Sequence, residues 1–287
     1  MKHRVWINLA LALAVAALAW LVFFKPEPAD TSKHKLSTLA AASVNEIRIT
    51  LASRPSVVLD KRGEAWFISA PFVARADMAR VDSLLGLLTA ESAQRFAATD
   101  LARFELDRPL ASVKIGAQTF SFGGVHPLNN QLYVLTQGTV YLVSPVYFVD
   151  VAKQATDYAS KQLLDAAENP IAFEFATFKL TRNDGKWLKQ PADATLSQDD
   201  ANKFADEWRH AQALSVSQPQ TFKAAEQITL RFASGKTLNL QAAQQGQEWV
   251  VLREDEKFAY HFTLDAAQRL RDIHPKQKSS RLTPLPG

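Results

Sequence analysis

The run FEFATFKLTRNDGKWLKQP, residues 173–191, decides how the chain folds. Strand-forming residues flank Asn183-Asp184-Gly185, and Asp-Gly supplies the positive-φ pair that a tight β-hairpin needs. Pro191 interrupts the pattern. A helix then begins at Ser197, with Asp199 and Asp200 favourably placed against its dipole and Ala201, Phe204, Ala205 and Trp208 forming one apolar stripe. The strands ITLRFA, TLNLQA, EWVVLRE and FAYHFT follow, and Thr263 caps a last helix carrying Leu264, Ala267, Leu270 and Ile273.

The same order occurs earlier. NEIRITL and SVVLDKRGEAWFI read as strands, the second a hairpin turning near Arg62-Gly63. After RGEAWFISAP, residues 62–71, Asp77 caps a helix with Met78, Val81, Leu84, Leu85 and Leu88 on one face. Next come SVKIG, TFSFGG, QLYVLT and TVYLVS, then a helix starting with Ser144 as N-cap and Pro145 at its first position. Trp66 and Trp187 are 121 residues apart, Pro71 and Pro191 120, and Tyr141 and Tyr260 119, as are Ser144 and Thr263. Four landmarks in one order at nearly one offset imply two copies of a β-β-α-β-β-β-β-α unit joined near LLDAAENPIA, residues 163–172. The expected class is α+β, two tandem antiparallel-sheet-plus-helix units over residues 44–167 and 168–274. A basic, Pro-containing tail covers 275–287.

The first 43 residues differ in kind. Val5–Phe24 carries no charge, and at about 1.5 Å per residue a helix of this length spans roughly 30 Å, a hydrocarbon core. Residues 1–24 are therefore expected to be a cytoplasmic stub and a transmembrane helix, with Trp6, Leu9, Leu13, Leu18, Trp20, Leu21, Phe23 and Phe24 contacting membrane lipid. The rival reading is a cleaved signal peptide, ALA at 17–19 being a possible site. Cleavage there would leave a mature protein beginning WLVFF, so the uncleaved anchor is the reading adopted. Lys2 and Arg4 keep the short end in the cytoplasm and put the rest in the periplasm of a bacterial inner membrane. Residues 25–43 read as a polar linker.

Composition narrows function mostly by exclusion. Of 287 residues 47% are hydrophobic, enough for substantial cores. The net charge of +4 comes from the ends: Lys2, Arg4, Lys33, Lys35, Lys276, Lys278 and Arg281. With no basic stripe on a folded face, nucleic acid is not an expected partner. The absence of cysteine rules out thiol chemistry and disulfides.

The piece FSFGGVHPLNNQLYVLTQGTVYLVS, residues 120–144, preceded by the W-F-I-x-x-P element and a Leu-rich helix, resembles the bacterial domain-of-unknown-function 4340 family. The likeness covers most of residues 44–270, best over 57–165. Phe122-Gly123-Gly124, Pro127, Tyr133-Val134 and Val140–Val143 carry it. Some members of that family are similar to, or accompany, auxiliary subunits of gliding-motility-type ABC transporters. The resemblance implies an accessory role and brings no catalytic residues with it.

No chemical motif stands out. Gly123-Gly124 is the one Gly pair and reads as a positive-φ turn between strands; no phosphate-binding loop is present. The histidines His3, His34, His126, His210, His261 and His274 show no metal-ligand spacing. His261, flanked by Tyr260 and Phe262 in a strand, reads as a surface or edge residue. His126, in a Gly-Pro-Asn loop, is the one candidate loop site. SKHK, residues 32–35, matches S-x-x-K but lies in the linker without companion motifs. Asp77 with Asp82, and Asp199 with Asp200, read as helix caps before glycosidase pairs, and Trp66 and Trp187 as core anchors before sugar platforms. The expectation is a membrane-anchored, periplasmic, non-catalytic domain binding another envelope protein, without cofactor or metal. A cell-wall glycan or lipid-binding module and an enzyme of unknown class are the alternatives.

Overall fold

The computed structural model describes Trp6 and residues 11–15, 33–219 and 221–274. Two large antiparallel sheets dominate. The first half supplies β1 (His34–Lys35), β2 (Glu46–Leu51), β3 (Val57–Arg62), β4 (Ala65–Ala70), β5 (Ala74–Arg75) and helix α1 (Met78–Leu85). It continues with β6 (Glu91–Ser92), β7 (Arg95–Ala97), β8 (Ala111–Ile115), β9 (Gln118–Val125), β10 (Leu132–Thr136), β11 (Thr139–Val143) and α2 (Val146–Val151). The second half supplies β12 (Pro170–Glu174), β13 (Lys179–Asn183), β14 (Lys186–Gln190), α3 (Gln198–Arg209) and β15 (Ser215–Ser217). It ends with β16 (Glu226–Phe232), β17 (Thr237–Gln245), β18 (Glu248–Arg253), β19 (Phe258–Thr263) and α4 (Leu264–Arg271).

The strand order is β5-β4-β3-β2-β8-β9-β10-β11-β7 in one sheet and β14-β13-β12-β16-β17-β18-β19-β15 in the other; β1 and β6 form a small third sheet. Apart from β5, the two large orders are the same. In each, the strand before the first helix lies towards one edge and the strand after it lies at the opposite edge. The helix therefore carries the chain across the sheet's inner face. Val81, Leu84, Leu87 and Leu88 are buried in the first crossing, and Ala201, Phe204, Ala205 and Trp208 in the second. Trp66 and Trp187 are buried at matching places, and both X-Pro bonds that follow, Ala70-Pro71 and Gln190-Pro191, are cis.

This corrects the α+β expectation. The described residues are 40% strand and 22% helix, a mainly β protein in three sheets. The apolar stripes do mark real helices, but these are single crossings of 8, 6, 12 and 8 residues and do not build a layer of their own. Four strands precede the crossing helix in the first half, counted from β2, and three in the second, counted from β12, and a short edge strand follows it in each sheet; the expected unit lacks some of these. The transmembrane helix in that expectation is corrected too. Among the described residues no helix is long and apolar enough to cross a membrane. Leu9, Leu18, Trp20, Leu21, Phe23 and Phe24 lie outside the described residues, while Trp6 and Leu13 are exposed. Of the supposed linker, residues 34–37 belong to the fold. Leu36 is buried, and Ser37 Oγ and Leu36 O hold the buried Gln118 side chain at 2.6 and 2.9 Å.

The capping residues sit where local chemistry puts them. Asp77 accepts from Ala79 N at 2.9 Å, Ser197 from Asp200 N at 3.0 Å and Thr263 from Ala266 N at 3.1 Å. Ser144 accepts from Val146 N at 3.4 Å, and the second helix starts one residue later than expected. Asp184 and Gly185 both have positive φ, 47° and 80°, as the tight hairpin requires.

Gly123-Gly124 does not form a turn. Both lie inside β9, and neither has positive φ. Their role is close approach: a Cβ on Gly123 would lie 2.3 Å from Phe104 O and 2.8 Å from Leu106 Cγ. The connection from β7 to β8 presses on the outer face here and buries Phe104 and Leu106 with Val140, flanked by Phe96, Tyr133 and Leu135, in a small second core.

The two sheets close the same edge differently. In the first, β5 pairs with β4, and Ala76 N donates to Trp66 O at 2.9 Å. In the second, no strand follows β14. Instead Gln198 of α3 accepts from Trp187 N at 2.8 Å and donates to Trp187 O at 2.9 Å, so its amide occupies the pairing groups of the edge. Gly123→Ala costs about 1–3 kcal/mol through overlap with the Phe104 carbonyl, read by urea denaturation. Gln198→Ala costs about 1–3 kcal/mol and raises self-association at the exposed β14 edge, measured by denaturation and light scattering.

Candidate functional site

Three places gather functional chemistry, and none is contiguous in sequence. The first joins the halves. Arg253 on β18 is buried, its side chain 3% exposed. It donates from Nη1 to Leu163 O at 2.6 Å and Glu168 Oε2 at 2.8 Å, and from Nη2 to Glu168 Oε1 at 2.7 Å, a two-pronged carboxylate contact. Nε donates to Asp255 at 3.0 Å. Arg75 on β5 reaches across from the first half to Glu256 at 2.6 Å, Gln162 O at 2.8 Å and Tyr260 Oη at 3.0 Å. Phe72 packs edge-on against Phe258 beside it, ring centroids 5.0 Å apart.

Every charge in this clasp has a partner, which makes its burial tolerable. Burial by itself raises the Glu168 pKa. The hydrogen bonds from Arg253, Asp165 N and Lys236 outweigh that and bring it down to about 2. Burial opposes the charge on Arg253 as well, yet Glu168 and Asp255 hold its pKa above the ordinary arginine value. Burial and the neighbouring Glu256 carboxylate raise the Tyr260 phenol, which stays a donor to Glu256 at 2.5 Å. The clasp is saturated internally and fills the ground between the halves, where an aromatic cleft would have favoured a glycan-binding module.

The second place is the β9–β10 loop containing His126. His126 N donates to Gln131 O at 2.7 Å, Leu128 N to His126 Nδ1 at 3.2 Å, Asn130 N to His126 O at 3.2 Å and Gln131 N to Asn129 Oδ1 at 3.1 Å. His126 thus serves the loop's own geometry, and its ring lies 5.7 Å from Tyr133. The loop lifts Leu128 into solvent with 90% of its surface exposed, next to exposed Val125. The equivalent hairpin of the second half turns tightly, Gln245 pairing with Glu248, so the fold itself does not require the loop.

The third place lies on the outer face of the second sheet. Ser217 Oγ is 2.8 Å from His261 Nε2, and His261 Nδ1 is 2.8 Å from Glu248 Oε2. The sequence pattern places His261 at a surface or edge position and gives no sign of the other two. They come from β15, β19 and β18, adjacent only through pairing, and no spacing announces them.

The remaining candidates fall into structural roles. Asp77 caps its helix, and Ser197 rather than Asp199 or Asp200 caps the third. Trp187 donates from Nε1 to Asn202 at 3.0 Å from a buried position. Lys35 of the SKHK run lies in β1, and Ser32 is outside the described residues. Among the described residues no group of three or more His, Asp or Glu side chains is placed to hold a metal.

A duplicated, all-antiparallel sheet architecture thus carries these three places. The family model for the Domain of unknown function (DUF4340) matches residues 66–229, and the chain belongs to that family. No curated protein and no solved structure matches the chain.

The clasp gives a signed pH dependence. Glu168 binds a proton more readily unfolded, near 4.5, than folded, near 2, so its contribution is complete above about pH 5 and is lost as pH falls towards 2. The loss is at most about 3 kcal/mol, and Glu168→Gln removes most of this slope in urea titrations followed by tryptophan fluorescence. Arg253→Met strands the Glu168 carboxylate and costs about 3–5 kcal/mol at pH 7.

Proposed function

We propose that the chain is a membrane-tethered periplasmic domain that binds another envelope protein through the His126–Gln131 loop. One observation carries this reading: an uncharged loop, braced by its own hydrogen bonds, holds Leu128 almost fully in water. An exposed leucine on a pre-ordered loop has no benefit for the folded monomer. It lowers the ordering cost of association with an apolar pocket. Position supports it as well. The chain joins the first sheet beside Gln118, at the start of β9, and the loop follows Val125 at the strand's far end, roughly 23 Å away at about 3.3 Å per residue. An attachment through the N-terminal end would present the loop away from its own linker. The family likeness fits an accessory of an envelope or transporter complex.

A photo-crosslinking residue at position 128 in intact cells tests the reading. A discrete crosslinked protein species is expected from position 128 and not from position 114, near the opposite end of the sheet. Leu128→Asp in a crosslinker at position 125 abolishes it. Equal crosslinking from 114 and 128, or none from 128, overturns the proposal. A periplasm-specific reporter fused after residue 287 is expected to be active.

A further inference from the structure

The Ser217–His261–Glu248 array is more than the sheet needs. With Tyr141 and Tyr260 as matched positions, each pairing inward with Val134 and Val251, the residue equivalent to Ser217 is Phe96 and that equivalent to His261 is Leu142. In the first half both are apolar: Leu142 is buried, and Phe96 packs on Phe104 and Tyr133. One backbone pattern therefore folds with a hydrophobic outer face at this point. The second half has a hydroxyl, an imidazole and a carboxylate in line, with side-chain exposure of 18% for His261 and 42% for Glu248.

The order of groups is that of an activated hydroxyl: nucleophile, base, and an acid orienting the base. The carboxylate accepts from Nδ1–H, which fixes the imidazole tautomer that leaves Nε2 free to accept the Ser217 proton. Strand pairing sets the spacing. Ser215 lies directly opposite His261, so Ser217 is its diagonal neighbour on the same face, and Glu248 is the corresponding neighbour on β18. Nucleophile and base thus rest on sheet backbone and not on a mobile loop.

We propose that Ser217 is a nucleophile activated by His261 and Glu248, acting on carboxylic esters presented at the open sheet face. Ser217 Oγ bonds to the acyl carbon while its proton passes to His261 Nε2. The ester C–O bond breaks, and the leaving alkoxide takes that proton. Water then gives a proton to the same imidazole and bonds to the acyl carbon; the acyl–Oγ bond breaks, Oγ takes that proton back from Nε2, and the acid leaves. The array lies on an open surface, so the charge developing on the acyl oxygen is left to solvent. Reactivity is therefore set towards activated esters and fluorophosphonates, not amides. This activity is independent of the loop and goes beyond the interaction reading.

The test is fluorophosphonate labelling of the purified full chain in detergent, with peptide mass spectrometry and p-nitrophenyl acetate turnover. Stoichiometric modification at Ser217 is expected, absent from Ser217→Ala and retained by Ser215→Ala. His261→Gln slows labelling about 100-fold or more, as loss of a general base does. Glu248→Gln gives a smaller loss with an altered pH profile, and melting curves verify that each variant folds. No labelling of the wild type above the Ser217→Ala background overturns the proposal, as does a rate unchanged in His261→Gln. Should His261→Gln fail to fold, an unchanged rate and pH profile in Glu248→Gln overturns it equally.

Discussion

The contact between Arg253 and Glu168 is the one on which the arrangement of the halves depends. A guanidinium taken out of water costs several kcal/mol, and it stays buried here only because Glu168, Asp255 and the Leu163 carbonyl meet its donors. Glu168 and Leu163 belong to the segment joining the two sheets. The same bonds that satisfy the charge therefore tie the connection to β18. Arg75 extends this to the first sheet through Glu256 and Tyr260, and apolar contacts such as Phe72 with Phe258 then pack at a fixed place. Such a clasp discriminates among arrangements, since any other docking of the halves would leave ionised groups without partners.

Within that frame, the two halves show which features the fold needs and which it leaves free. The crossing helix, the edge strand after it and the buried tryptophan before the cis proline recur, because a sheet with its first and last strands at opposite edges needs a chain across its face. Edge closure does not recur: a strand does it in one half and the amide of Gln198 in the other. The outer face diverges most. The first half covers it with Phe104 and Leu106, which demands glycine at 123, while the second leaves polar groups accessible there. The β9–β10 loop and the Ser217 array are both departures from the shared pattern, and departures are where a duplicated scaffold is free to acquire function.

The two departures lie in different halves and on different faces. The loop is a feature of the first sheet's end, and the serine array of the second sheet's outer surface. The clasp holds both to one body.

Local signals in the sequence determined the hairpin at Asp184-Gly185, the caps at Asp77, Ser197 and Thr263, the inward stripe of α3 and the repeat that pairs Trp66 with Trp187. The hairpin, the caps and the stripe each depend on residues within a few positions of one another, where backbone dihedrals and side-chain hydrogen bonds act. The sequence alone suggests a turn at Gly123-Gly124, because what they make room for, Phe104 beside Gly123 and Glu105 beside Gly124, lies some twenty residues earlier and meets them only after folding. Residues 75, 168, 253 and 256 carry no local pattern, nor do 217, 248 and 261. What brings them together is strand order and the docking of two sheets, and the desolvation and hydrogen bonding that give them meaning exist only once those surfaces have closed.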